Sequence, residues 1–224
     1  AASDVYKRQG FLGIISTTDW ISQEASAEAS GGGGGIIGEV GVITVDQPDG
    51  ATWHTVTLRN TYTDPVVIMQ PLSYNGGDPC HIRLRNVGSN SFEFQIEEWD
   101  YLDQGHTTET IAYIVMESGT WTLEDGRKVE VGKFDMDNCW ADGVWKSVSF
   151  SQTFSTPPIV LTQVQTYNGG QAVVTFQKDV TASGFQVIMR EEEGNDNYHA
   201  TETIGYIAVE PGAVSYTHLR AHET

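Results

Sequence analysis

The sequence predicts an all-β protein of two tandem antiparallel six-stranded β-sandwiches. Three observations predict it: an internal repeat, apolar alternation of period two, and glycine–asparagine punctuation. Trp53–Glu117 and Trp145–Glu210 run in parallel, W-H-T-V-T-L-R-N-T-Y-T-D-P-V-V opening the first and W-K-S-V-S-F-S-Q-T-F-S-T-P-P-I the second. Both reach Y-N-G-G, at Tyr74 and Tyr167. Both close alike, on H-T-T-E-T-I-A-Y-I-V-M-E (His106–Glu117) and H-A-T-E-T-I-G-Y-I-A-V-E (His199–Glu210). A fixed spacing of this kind marks a duplicated unit. The offset is 92 residues at the tryptophans and 93 at the later motifs, so one insertion lies between.

Taken in order, each unit opens on a strand, G-V-I-T-V-D at Gly41–Asp46 and G-K-F-D-M-D at Gly132–Asp137. Phe92, Phe94 and Ile96 alternate with Glu93, Gln95 and Glu97, and Ile111, Tyr113 and Val115 continue the period. In the second unit Phe185, Val187 and Met189 alternate in the same way, although Ile188 interrupts the polar face. Such alternation predicts strands with one face toward a core. Asn75-Gly76-Gly77, Gly88-Ser89-Asn90 and Asn168-Gly169-Gly170 separate the strands. Asp125-Gly126, between 120–124 and 127–131, is a type I′ hairpin signal. One strand is ambiguous. Ile82 and Leu84 point inward in the first copy, and the fixed offset sets Thr175 and Gln177 against them. A one-residue shift that turns Val174 and Phe176 inward is preferred, because a polar strand face does not belong in a core.

The units are expected at 39–131 and 132–213. Before them, residues 10–38 read as a remnant strand of a preceding domain (Phe11–Trp20) and a Gly/Ser/Ala-rich linker. Residues 1–9 and 214–224 share no pattern with the interior and resemble translated sequencing-adapter DNA, a genuine tail at each end being the alternative.

The formal net charge is −18 over 224 residues. Nucleic acid is therefore not an expected partner, since its binding rests on clustered Lys and Arg. No apolar run reaches the length of a bilayer span, so membrane insertion is not expected either. Such acidity suits an extracellular or cell-surface protein, or one that gathers cations. Cys80 and Cys139 could pair, but neither their number nor their spacing makes a disulfide framework or a zinc site.

The units resemble the H-type lectin domain. The residues that carry the resemblance are an opening G-x-[IF]-x strand and an aromatic three residues before a proline (Tyr62 and Pro65, Phe154 and Pro157). V-x-x-x-x-F (Val87–Phe92, Val180–Phe185) and a closing I-x-Y-I-x-x-E strand complete the set. The resemblance implies a six-stranded antiparallel sandwich, association as a homotrimer, and binding of galactose- or N-acetylgalactosamine-type glycans or glycoproteins without catalysis. Its Trp-His pair falls on Trp99 and Asp100, the histidine being replaced. Its arginine falls near His81 and Arg83, and its first loop on Asp46 and Asp49. Tyr101 is a companion to Trp99. In the second copy the equivalents of the pair are Glu192 and Glu193, which lack the aromatic, so the first copy is the better sugar-binding site.

The acidic runs Glu97–His106 and Glu191–His199 suit calcium through Glu98, Asp100 and Asp103, although a solvated loop is the commoner meaning. No other cofactor is expected. His106 and His199 are expected to satisfy backbone groups where a strand begins. Trp53 and Trp145 stand at equivalent positions and are expected in the cores, whereas Trp99 and Trp140 occur once each and suit a ligand. Catalytic residues are not expected: Glu98 and Asp100 alternate along one strand edge, and no nucleophile motif is present. The rival reading is a structural or adhesive repeat, or an oligomerisation unit, with no retained sugar site.

Overall fold

The computed structural model describes residues 37–123 and 125–212. The terminal tails, the remnant strand and the linker lie outside the described residues. No described residue is α-helical; a single 3-10 turn spans Trp140–Asp142.

Thirteen strands follow in order: β1 (Gly38–Gln47), β2 (His54–Thr57), β3 (Pro65–Pro71), β4 (Cys80–Arg85), β5 (Ser91–Glu98), β6 (His106–Glu117) and β7 (Gly119–Thr122). Then come β8 (Lys128–Met136), β9 (Lys146–Ser149), β10 (Ile159–Val164), β11 (Val173–Thr181), β12 (Gly184–Glu191) and β13 (Glu202–Val209). The first six form two sheets, β1-β6-β3 and β2-β5-β4, and the last six repeat that order as β8-β13-β10 and β9-β12-β11. β7 adds to the outer edge of β8. The boundary expected at 131/132 therefore falls inside β8, and the first unit's own strands end at Glu117.

The period-two pattern is answered by the packing. Phe92, Phe94, Ile96, Ile111, Tyr113 and Val115 fill the first core, and Phe185, Val187 and Met189 the second. Each such side chain contributes roughly 1.5–3 kcal/mol on burial. The intervening residues are not all in water. Val66, Ile68, Ile114 and Met116 pack against Val129, Val131 and Ile207 in a third cluster, between the β1-β6-β3 and β8-β13-β10 sheets. These sheets are thus covered on both faces, and their strands read as continuous apolar runs for that reason.

The third-strand register departs from expectation. β11 keeps the fixed offset: Thr175 pairs with Met189 as Ile82 pairs with Ile96. Thr175 and Gln177 do turn toward the sandwich, where their side chains donate to the carbonyls of Thr162 and Val160 on the free edge of β10, at 3.1 and 2.8 Å. Unmet edge carbonyls, not apolar surface, decide this strand. Val174 and Phe176 face the other way.

Two smaller readings, of the 125–126 turn and of Trp53 and Trp145, are corrected, and the pairing of the two cysteines, left open by the sequence, is decided. The Asp125-Gly126 hairpin forms, with Leu123 N–H donating to Arg127 O and Gly126 N–H to Leu123 O, but Gly126 takes φ +84° while Asp125 does not take the positive φ that a type I′ turn needs at both central residues. Cys80 and Cys139 are free thiols. Trp53 and Trp145 sit outside the cores, half-buried, with Arg85 4.0 Å and Lys178 4.3 Å from their ring centroids.

Candidate functional site

A cleft of about 900 Å³ opens between the two units. β3, the 72–79 loop, the start of β4, Trp99 and Tyr101 form one wall; β10, β11 and residues 190–194 form the other. It exists because Gln163, on β10, and Gln165, just past its end, lie on the face turned toward the first unit. Gln165 accepts from Val67 N–H at 2.9 Å and donates to Val67 O at 2.7 Å. Gln163 accepts from Met69 N–H at 2.6 Å and donates to Ile82 O at 2.9 Å. The free edge of β3 is thereby closed by glutamine side chains.

Of the sugar-site residues expected from sequence, the cleft gathers His81, Trp99, Tyr101, Glu192 and Glu193. Trp99 is half-buried, its ring 5.5 Å from that of His81, and Tyr101 is 71% exposed. His81 Nε2 lies 2.9 Å from Glu97 Oε2, out of line for a hydrogen bond. Asp100 is exposed beside them and joins the copies. Its N–H donates to Glu192 Oε2 at 2.7 Å, and its carboxylate accepts from Asn195 Nδ2 at 2.6 Å. Burial, together with the Asp100 and Glu191 charges, raises the Glu192 carboxyl against the opposing Asp100 N–H bond. Arg190 adds a cation on the same wall, 5.0 Å from the exposed ring of Trp140.

Other expected residues are elsewhere. Arg83 is 1% exposed and cannot meet a ligand in solvent; it is sealed between the units. Asp46, near the end of β1, and Asp49, on the loop that follows it, are exposed away from the cleft. Asp49 Oδ1 caps that loop by accepting from Ala51 N–H, Thr52 N–H and the Thr52 hydroxyl. Glu98, Asp100 and Asp103 do not converge. Glu98 is fully buried against His106, while Asp103 accepts from Gly105 N–H. Among the described residues no group of three or more His, Cys, Asp or Glu side chains is placed to hold a metal ion.

The histidines of the repeated motif grip carboxylates rather than backbone groups. His106 Nδ1 lies 2.7 Å from Glu98 and its Nε2 3.4 Å from Glu109; His199 stands 2.8 Å from Glu191 and 3.2 Å from Glu202. Glu109 accepts from the N–H groups of Asn75 and Gly76 and from the Ser73 hydroxyl, and Glu202 does so from Asn168, Gly169 and Thr166. Burial works to raise Glu202. The hydrogen bonds of His199, Thr166 and Gly169, with the charge of Arg83, outweigh it and hold the carboxyl at about 2. Glu109 is lowered by the matching bonds against the same burial. The Y-N-G-G loop and the H-x-x-E strand start are thus one device. A Cβ on Gly76 or Gly169 would sit 2.5 or 2.6 Å from the histidine ring.

Comparison with known proteins now bears on this geometry. Residues 145–209 match the H-type lectin domain. That H-type lectin match runs from Trp145 through β13, and so takes in Glu192, Glu193, His199 and Glu202. Halomucin of Haloquadratum walsbyi is 36% identical over 229 residues, an alignment that takes in 95% of this chain. The chain spans about 2% of the length of that relative. No solved structure matches the chain. No helix among the described residues is long and apolar enough to cross a membrane.

Sequence reasoning did not find Gln163, Gln165 or Arg190. No sequence signal marked the two glutamines, since polar residues at i and i+2 are also what a solvated outer strand face shows.

Proposed function

We propose that the two units bind glycans, of galactose or N-acetylgalactosamine type, without catalysing any change in them, as part of an extracellular protein. One observation carries this reading. The cleft sets aromatic rings (Trp99, Tyr101) beside an imidazole and two carboxylates (His81, Glu192, Glu193). A sugar ring presents an apolar C–H face that stacks on an indole and an equatorial rim of hydroxyls that donate to carboxylates. A concave site with a few convergent polar groups matches that demand. The H-type lectin match supports it, and the first unit is taken as a second domain of the same kind. Arg190 accepts nothing, and its guanidinium is the donor a sugar oxygen needs. The reading includes no metal.

A second reading, a structural or adhesive repeat, is favoured by two facts: Arg83 is sealed away, and Asp100 is engaged by Glu192 and Asn195. A glycan array on the full chain, with calcium and with chelator, separates the two. Binding that is unchanged by chelator and falls at least about tenfold in Trp99→Ala, the scale of one lost interface aromatic, supports the first. An array blank at high protein concentration supports the second. The trimeric association implied by the resemblance is tested by light scattering: three times the chain mass is expected, and a single chain mass ends that part of the proposal.

A further inference from the structure

Arg83 of the first unit enters a receptor built entirely by the second. Its guanidinium carbon lies 4.8 Å from the Tyr167 ring centroid. Its terminal nitrogens donate to Gly169 O at 3.0 Å and Gln171 O at 3.5 Å and reach Glu202 Oε1 at 3.4 Å. A ring face, two carbonyls and a carboxylate form the arrangement that suits a flat, five-donor cation.

The repeat builds this receptor twice. Offset by 93, Tyr167, Gly169, Gln171 and Glu202 become Tyr74, Gly76, Asp78 and Glu109. The scaffold behind them repeats its loop bonds, although His106 Nε2 also meets Cys80 Sγ at 3.6 Å. Asn75 Nδ2 donates to Thr108 O as Asn168 Nδ2 does to Thr201 O, each at 2.8 Å. Tyr74 Oη donates to Gly77 O at 3.2 Å as Tyr167 Oη does to Gly170 O at 3.4 Å. Tyr74, Asp78 and Glu109 line the cleft. This copy is less covered: Tyr74 is 58% exposed against 36% for Tyr167, and Gly76 is half-buried where Gly169 is buried.

We propose that Tyr74, the Gly76 and Asp78 carbonyls and the Glu109 carboxylate form a second guanidinium site, which takes an arginine side chain presented by another unit of this fold. Charge supports it. Glu191 and Glu202 both face His199, and Glu202 also faces Arg83, a fixed cation that lies 3.7 Å from Glu97 as well. Glu98 and Glu109 share His106, and among the described residues no Lys or Arg is paired with either. Glu98 Oε2 is buried with no hydrogen-bond partner. Buried carboxylates call for a compensating cation, and Asp78, where the second copy has Gln171, adds one more negative charge at the rim. The arginine has to come from the position that Arg83 holds on its strand. In the second unit Phe176 stands there, opposite Ile188 as Arg83 stands opposite Gln95, so that unit cannot supply it. The inference uses none of the Trp99, His81 or Tyr101 contacts, although both sites open onto one cleft.

The test is a chemical-shift titration of the isotope-labelled full chain with L-argininamide and, separately, L-lysinamide at equal ionic strength. Saturable shifts at the Asn75 and Gly76 amides are expected, with lysinamide binding about fivefold more weakly because it lacks the planar fork. Tyr74→Ala weakens argininamide about threefold through the lost ring face, with the Asn168 and Gly169 signals unmoved. Glu109→Gln abolishes the shifts; should that variant lose its fold, Tyr74→Ala decides. Shifts that never saturate, an equal response to both amides, or wild-type binding by Tyr74→Ala overturn the proposal.

Discussion

Replacing Arg83 with Met keeps the unbranched stem and removes only the guanidinium. In the native protein that group is 1% exposed, donates to Gly169 O at 3.0 Å, and stands 3.4 Å from Glu202 and 3.7 Å from Glu97, both carboxylates buried. Its loss strands negative charge between the units, and breaking a buried pair on one side costs about 3–5 kcal/mol. Urea unfolding followed by tryptophan fluorescence measures this, because Trp53 packs edge-on to Tyr167 at 5.1 Å across the same junction. The deficit also has a pH signature. Glu202 is held at about 2 partly by Arg83, so its contribution is complete above the ordinary glutamate range near 4.5 and disappears as pH falls toward 2. In the variant the folded-state value moves back up, and the gap between variant and native protein narrows in acid. A loss below about 1 kcal/mol at neutral pH, or a gap that does not shrink in acid, would refute the reasoning.

The native chain itself is expected to lose about 3 kcal/mol as pH drops from 4.5 to 2, from the Glu202 carboxyl alone; acid unfolding with and without Glu202→Gln measures it. Gly76→Ala, whose methyl would sit 2.5 Å from the His106 ring, is expected to destabilise by about 1–3 kcal/mol, read as a lower urea midpoint. Gln165→Leu leaves both Val67 backbone groups without these partners and costs about 2–6 kcal/mol at about 1–3 per stranded group. Hydrogen exchange at the Val67 amide accelerates in that variant, and a rate equal to native would count against the edge-closing role.

The fold was legible because it rests on local rules. Apolar alternation from Phe92 to Ile96 and from Ile111 to Val115 maps directly onto the first core, and the duplicated motifs onto duplicated strand order. What escaped was everything that depends on a neighbour. Thr175 and Gln177 look misplaced until the carbonyls of β10 are seen beside them. Arg83 looks like a ligand residue because an arginine on an outward face normally meets water, whereas here another domain meets it. Trp99, His81 and Tyr101 were expected at a site of the first unit and Glu192 and Glu193 at a separate one of the second; that both sets line one cleft depends on how the units meet, and Gln163 and Gln165, which join them there, carry no signature of their own. The H-x-x-E motif was visible twice, yet its carboxylate partners lie eight residues upstream on another strand.

The two sandwiches close the same vulnerable edge by different means. β10 is capped from within its own unit by Thr175 and Gln177, while β4 offers Ile82 and Leu84 at the matching places and leaves β3 to be capped by glutamines of the next unit. The halves are consequently unequal at this edge: the C-terminal one covers its own, and the N-terminal one borrows its neighbour to keep foreign strands away. Any permutation that reverses their order or spaces them apart would leave a single strand ready to recruit whatever chain comes next.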